Sequence, residues 1–154
     1  METNFDKTYY RATKYCSYAE RCTFDVKKKL IEWKVDDKFH KKILDRLTEE
    51  GYINNSRYIS SYVSGKFANN KWGKTKIKYS LITKGFDSKT VDAELEKINE
   101  AEYNECILRL AKGKIKSVES KKLDSADIRN KTISYLLSKG FELDAIIDNI
   151  EKMF

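Results

Sequence analysis

Few side chains in this sequence have the chemistry that catalysis or metal binding requires. The 154 residues include one histidine, His40, and three cysteines, Cys16, Cys22 and Cys106. No Cys-x-x-Cys pair, metal-ligand spacing, glycine-rich phosphate loop or nucleophile elbow occurs. The sequence therefore predicts buried or half-buried thiols, with a redox role for one of them as the alternative. It also predicts that the protein has no metal, no cofactor and no enzymatic activity.

The basic side chains have the most distinctive distribution. The formal net charge is +7, and the segment from Gly51 to Phe86 contains seven Lys or Arg residues and no Asp or Glu. Elsewhere the charges nearly balance, with twelve basic and ten acidic side chains in residues 1–50 and ten and nine in residues 101–154. Unbalanced positive charge creates a positive potential at the surface. The pattern therefore predicts a nucleic acid or an acidic protein surface as the partner.

Eight residues from this segment and from a second basic run are candidates for partner binding. They are Arg57, Lys71, Trp72, Lys74, Lys76, Lys78, Arg109 and Lys112. Three positions allow a second interpretation. Arg57 either faces the partner or bridges a helix end by pairing with Glu49 or Glu50. Trp72 either fills the core or is an exposed stacking ring, and the run that starts at Arg109 is either a binding surface or a solvated helix face.

An internal repeat defines the elements that position these residues. Leu30, Leu81 and Leu136 lie 51 and 55 residues apart, and each is followed five residues later by another apolar residue. From that residue, core-type positions recur five, nine and twelve residues further on. Gaps of five, four and three residues place side chains on one face of a helix. His40 occupies one of these positions, where the other copies have apolar residues, and is therefore predicted to be a packed core histidine.

Each copy is typical of three helices, and no segment alternates long enough to favour a strand. The sequence therefore predicts an all-α tandem array of three three-helix repeats. Their predicted bounds are 1–53, 54–98 and 99–154. Stacked repeats share apolar faces, so the array is expected to be elongated, with its curvature left open. The first helix of the third repeat is expected to be longer than its counterparts.

Apolar spacing also orients the helix that begins near Gly73. Leu81 is expected to face the core, whereas Lys76 lies on the opposite side and is expected to be exposed. Lys74 and Lys78 fall nearer the apolar arc, so their long side chains would extend past it to reach water. Lys76 is therefore the lysine of this helix with the clearest expected access to a partner.

Two segments of the chain, on either side of residues 59–71, have motif-like patterns. Residues 49–58, EEGYINNSRY, are similar to the acidic-Gly-Tyr-Leu-Asp-Asp-x-Arg-Phe motif of the RecX regulatory proteins. Residues 72–86, WGKTKIKYSLITKGF, are similar to that family's aromatic-Gly-Pro-x-x-Ile-x-x-x-Leu-x-x-Lys-Gly-Ile motif. Asn54 and Asn55 replace the usual acidic pair, and Lys74 stands where the family often has Pro. Both departures make the middle of the chain more basic.

The resemblance implies a tandem three-helix fold and regulation of the RecA recombinase. RecX proteins bind the RecA–DNA filament, lie along its groove, and hold back strand exchange and the co-protease function. The implied roles are in DNA repair, recombination and the SOS response. The implied partners are the RecA filament and single- or double-stranded DNA, bound without sequence preference by a monomer.

A tandem helical DNA-binding protein that regulates transcription is the alternative function. Three-helix units also resemble helix-turn-helix modules, which place one helix in the major groove. No helix, however, carries the cluster of Arg, Asn or Gln that base reading requires. No stretch approaches the 18 apolar residues of a membrane span, and the first residues lack a secretory signal pattern. We therefore expect a cytoplasmic protein.

Overall fold

The computed structural model describes residues 3–154 and contains, within them, nine α-helices and no strand. The helices are α1 (Asn4–Tyr18), α2 (Thr23–Glu32), α3 (His40–Glu49), α4 (Asn55–Ala68), α5 (Lys74–Thr83), α6 (Ser88–Leu95), α7 (Glu100–Glu119), α8 (Ser125–Ser138) and α9 (Leu143–Ile150). Short 3₁₀ turns at Asp37–Phe39 and Glu151–Met153 precede α3 and follow α9. The prediction of an all-α fold of three-helix repeats is confirmed.

In each group of three helices, the second helix ends in the same turn. The residue at the corner has a positive φ, which is 58° at Lys34, 91° at Gly85 and 93° at Gly140. The next backbone amide donates a hydrogen bond to the carbonyl of the repeat-defining leucine, over 2.9 Å in the first group and 3.2 Å in the other two. This is a Schellman-type helix ending. The sequence repeat therefore reflects a repeated turn as well as a repeated core position.

Most of the core positions predicted from the repeat are buried, and the others are half-buried. The side chains of Leu30, Leu81 and Leu136 have no exposed surface. His40 is buried as well, and its Nε2 lies 2.9 Å from the carbonyl oxygen of Val35. A buried polar group needs such a partner to offset the loss of water. The expectation of a packed core histidine is thus confirmed.

The backbone forms two compact units, one up to Tyr62 and one from Val63 to Phe154, with the boundary inside α4. The core of the first unit is built by Tyr9, Ala12, Val26, Leu30, Ile43, Leu47 and Ile53. The second contains a cluster of Tyr103, Ile107, Ala111, Leu136, Phe141, Ile146 and Ile150. The repeat bounds at 53 and 98 and the elongated shape of the array stay predictions.

Within the second unit, the start of α5 lies directly against the turn that follows α8. The amide of Gly73 donates to the carbonyl of Lys139 over 2.8 Å, and that of Thr75 donates to the carbonyl of Gly140 over 3.0 Å. A Cβ added to Gly140 would lie 2.2 Å from the Cβ of Lys76 and 2.7 Å from its backbone nitrogen. This contact, called here the Gly73–Gly140 junction, therefore requires a residue without a side chain at Gly140.

Replacing Gly140 should be far more costly than replacing its counterpart Gly85. Both have a positive φ, but a Cβ on Gly85 would meet nothing within 4 Å. We expect Gly85→Ala to lower the free energy of unfolding by about 1 kcal/mol, the cost of a left-handed alanine. Gly140→Ala adds a collision with backbone and should cost about 3 kcal/mol or more. Urea denaturation measures both values, and equal losses in the two variants would contradict the junction.

Candidate functional site

The loop between α4 and α5 brings two ammonium groups to one aromatic ring. Trp72 is half-buried, and its ring centre lies 4.7 Å from Nζ of Lys66 and 4.6 Å from Nζ of Lys76. A cation over an indole face is attracted by the negative charge of the π system. Trp72 is therefore neither a fully buried plug nor a fully exposed stacking ring. Lys66, Trp72 and Lys76 are called the Trp72 cluster below.

The expectation that Lys76 is exposed is wrong. The side chain is half-buried because the Gly73–Gly140 junction holds the backbone and Cβ of Lys76 against Gly140. The rest of the side chain extends to the ring of Trp72. The apolar periodicity of α5 did not indicate this contact, because the turn after α8 covers a face that the pattern assigns to solvent.

Two further lysines bind carbonyl groups at the end of α4. Lys71 has a φ of 57°, and its Nζ donates to the carbonyl of Ala68 over 2.5 Å. Lys139, from the turn after α8, donates to the carbonyl of Asn70 over 2.8 Å. Carbonyls at a helix C-terminus carry partial negative charge, which favours nearby cations. Lys139 was missed from the sequence, although the recurring Lys-Gly pair at the ends of α5 and α8 was an available signal.

Tyr103 links the start of α5 to the third group of helices. Its buried hydroxyl accepts a hydrogen bond from the backbone amide of Lys74 over 3.0 Å and donates one to the carboxylate of Glu142. Nζ of Lys74 lies 4.8 Å from the centre of the tyrosine ring. Burial, and then the hydrogen bond to Glu142, raise the pKa of Tyr103 well above its usual range. The hydroxyl therefore stays protonated and keeps donating to Glu142.

Arg57 bridges a neighbouring helix end, but through a different partner from the two that its sequence neighbours suggested. Its Nε donates to the carboxylate of Glu20, and Nη2 donates to the carbonyl of Gly51 over 3.2 Å. The partner is therefore Glu20 rather than Glu49 or Glu50. These contacts give Arg57 a structural role in the first unit, and its contact with a partner stays a prediction.

The remaining candidates differ in how far their charge is offset. Nζ of Lys78 lies 2.8 Å from Oδ1 of Asp92 on α6, so this pair is neutral within its own repeat. Arg109 pairs with Glu105 one turn earlier on α7, over 2.9 Å. Lys112 is exposed on the same helix. The basic run of α7 is thus a solvated face in part, and its role in binding stays a prediction.

Lys71 and Arg109 line one cavity of about 250 Å³ between α4 and α7, together with Cys106 and two glutamates. Burial raises the pKa of the Cys106 thiol, although the positive charges of Lys71, Arg109 and Lys139 favour the thiolate. The thiol is therefore protonated near neutral pH. It lacks the activation that a nucleophilic or redox-active cysteine needs.

The other two thiols have similarly inert surroundings. Cys22 is buried, and burial raises the pKa of Cys16 to about 11. Cysteines of this kind are structural, as the sequence predicted. Within residues 3–154, no group of three or more His, Cys, Asp or Glu side chains is placed to hold a metal ion. No helix in the same range has both the length and the apolar character for a transmembrane span.

The all-helical repeat fold and the lysines around Trp72 are typical of helical-repeat proteins that work by binding a partner. Sequence comparison supports a specific family. A family model described as RecX, second three-helix domain, matches residues 54–95. The regulatory protein RecX of Clostridium acetobutylicum is 30% identical over 155 residues, an alignment that covers 97% of this chain and 71% of that protein. RecX of Clostridium tetani is 27% identical, with coverages of 99% and 69%.

Solved structures agree with the sequence comparison. A crystal structure of regulatory protein RecX matches with a TM-score of 0.84 and 25% identity, over 96% of this chain and 71% of that one. RecX from Lactobacillus salivarius matches with a TM-score of 0.81 and 26% identity, over 97% and 96% of the two chains. The chain belongs to the RecX family of regulatory proteins. This membership confirms the resemblance seen in the sequence and the expectation of a regulator rather than an enzyme.

The Arg57–Glu20 pair can be tested with a double-mutant cycle. The two side chains are 47% and 31% exposed, so solvent weakens their attraction. We expect Arg57→Ala to lower the free energy of unfolding by about 1 kcal/mol, with a coupling to Glu20→Ala of about 0.5 kcal/mol. Arg109→Ala removes a more exposed pair and is the control, with an expected change below about 0.5 kcal/mol. Zero coupling between Arg57 and Glu20 would refute a stabilising contribution from this pair.

Proposed function

We propose that this protein binds the filament that RecA forms on DNA and inhibits its recombinase and co-protease activities. Membership in the RecX family supports the proposal, because the motif resemblance implies RecA as the regulated protein. The surface that contacts the filament is the lysine-rich region formed by the Trp72 cluster together with Lys71 and Lys74. Binding through this surface needs no cofactor and no chemical step.

One observation carries this assignment: three lysines of this region, Lys71, Lys74 and Lys76, contact a carbonyl or an aromatic ring, and none of the three forms an ion pair within the described residues. Lys71 binds the carbonyl of Ala68, Lys74 lies over the ring of Tyr103, and Lys76 lies over the ring of Trp72. Such contacts hold an ammonium group in place without cancelling its charge. The positive charge of these three lysines therefore remains available to an anionic partner.

A nucleoprotein filament presents many phosphates and repeated protein surfaces to such a region. Lysine contacts to phosphates fix position without reading sequence. Several modest contacts on one chain combine into a high overall affinity. A monomer held along the filament groove in this way would obstruct a second DNA strand, which accounts for inhibition of strand exchange without catalysis.

No observation favours the alternative function as a transcription regulator. Base reading in the major groove relies on Arg, Asn, Gln or Lys side chains that reach base edges. The outward residues of α5 that the structure describes as exposed are Thr75, Tyr79, Ile82 and Thr83. These side chains do not form a base-reading set, so we propose DNA contact without sequence preference.

Reversing the charge of three lysines should test the proposed surface. We expect the variant Lys71→Glu, Lys74→Glu, Lys76→Glu to need about tenfold more protein to co-sediment with RecA filaments or to inhibit strand exchange, because three phosphate-attracting charges are lost. The bond from the Lys74 amide to Tyr103 is made by the backbone and survives the change. The affinity of the unmodified protein should also fall as salt rises.

The matched control is Lys27→Glu, Lys28→Glu, Lys34→Glu. All three positions are exposed, and Lys34 has a φ of 58°, close to the 57° of Lys71. The control makes the same change in net charge and should retain filament binding. Unchanged binding by the folded Lys71, Lys74, Lys76 variant, or an equal loss in the control, would show that the middle repeat is not the contact surface.

A further inference from the structure

The third group of helices carries an extension that the first two groups lack. α7 has 20 residues and α8 has 14, whereas α1 and α2 have 15 and 10, and α4 and α5 have 14 and 10. The core cluster of this group uses α7 up to Ala111 and α8 from Ile133 onward. The chain from 112 to 132, called here the α7–α8 arm, therefore extends beyond the part of the repeat that this core cluster needs.

A groove of about 520 Å³ runs between the two helices where the arm begins. It is lined by Lys114, Val118, Lys121, Asn130, Lys131, Ser134, Tyr135 and Ser138. Among these described lining residues there are three lysines and no carboxylate. Asp127, one turn before Lys131 on α8, is not part of the lining. The groove is therefore a concave surface with a net positive charge.

The lining combines three kinds of group that suit a nucleic acid strand. Val118 is buried, and the half-buried ring of Tyr135 has Nζ of Lys114 5.2 Å from its centre. Lys121, just after α7, and Lys131, on α8, are exposed and supply one ammonium group to each wall. The amide and hydroxyl side chains can hydrogen-bond to phosphate and sugar oxygens, and the tyrosine ring can stack on a base.

Two other grooves of the described chain have balanced charges. The groove of about 730 Å³ between α2 and α3 is lined by Lys27 and Lys41 but also by Asp37 and Asp45. The cavity between α4 and α7 has two cations and two glutamates. Neither would attract a polyanion as strongly as the α7–α8 groove, because the carboxylates in their walls repel phosphates.

We propose that the α7–α8 groove binds the sugar-phosphate backbone of a single-stranded nucleic acid. A single strand can place its unpaired bases against the ring of Tyr135, whereas the bases of a duplex are paired and stacked on one another and are not available to that ring. We expect binding without sequence preference, because ammonium groups attract phosphates whatever base follows them. This site is separate from the Trp72 cluster and does not need RecA.

The test is fluorescence anisotropy of a short fluorescein-labelled oligothymidylate titrated with the full chain. We expect Lys121→Gln, Lys131→Gln to raise Kd about tenfold or more at about 50 mM salt. The slope of log K against log salt should fall in magnitude by about 1.4, which is about 0.7 for each ammonium group lost. Asn130→Asp is a second variant that keeps every lysine and adds a repulsive charge to the groove. It should also raise Kd, by about threefold or more.

The control variant is Lys27→Gln, Lys28→Gln, which removes two exposed lysines of the first unit and should leave Kd within about twofold. Circular dichroism verifies that each variant folds. We expect the double lysine variant to fold because Lys121 and Lys131 are exposed. The proposal is overturned if the groove variants bind as the unmodified protein does, if the control loses as much affinity, or if a duplex of equal length binds more tightly. Loss of oligothymidylate binding in the groove variants supports the proposal even if the chain fails to bind RecA filaments.

Discussion

Two backbone hydrogen bonds and a pair of glycines hold the start of α5 against the turn after α8. This contact brings Gly73 and Gly140 so close that a Cβ on either would collide with the opposing backbone. The same contact fixes Lys76 beside Trp72 and lies next to the bond between the Lys74 amide and Tyr103. The positions of Lys74 and Lys76 therefore depend on main-chain packing rather than on ion pairs.

Lysines held in this way have ordered side chains and keep their positive charge. An ion pair such as Lys78 with Asp92 orders a side chain but cancels its field at a distance. A carbonyl or an aromatic ring orders the ammonium group through partial charges and leaves the formal charge in place. The proposed contacts with the RecA filament and with single strands both rely on this uncancelled charge. Both should weaken with salt for the same reason.

The sequence was sufficient to predict the elements but not the contacts between distant segments. Periodic leucines, the Lys-Gly turns and the position of His40 report local helix geometry, and the structure agrees with them. The half-burial of Lys76 against Gly140 and the hydrogen bond from Lys139 to Asn70 join segments more than sixty residues apart, about which helix periodicity carries no information. Similarly, sequence neighbours suggested glutamates at the end of α3 as partners of Arg57, whereas packing brings a residue from the loop after α1.

Hydrogen exchange at the amides of Gly73 and Thr75 tests the Gly73–Gly140 junction most directly. Both amides precede or begin a helix, where backbone groups without a partner exchange quickly with water. We expect them to exchange as slowly as the amide of Leu81 in the last turn of α5, because their hydrogen bonds break only when the second unit opens. Exchange at the rate of unprotected surface amides would show that the junction does not form, and that the lysine arrangement built on it is wrong.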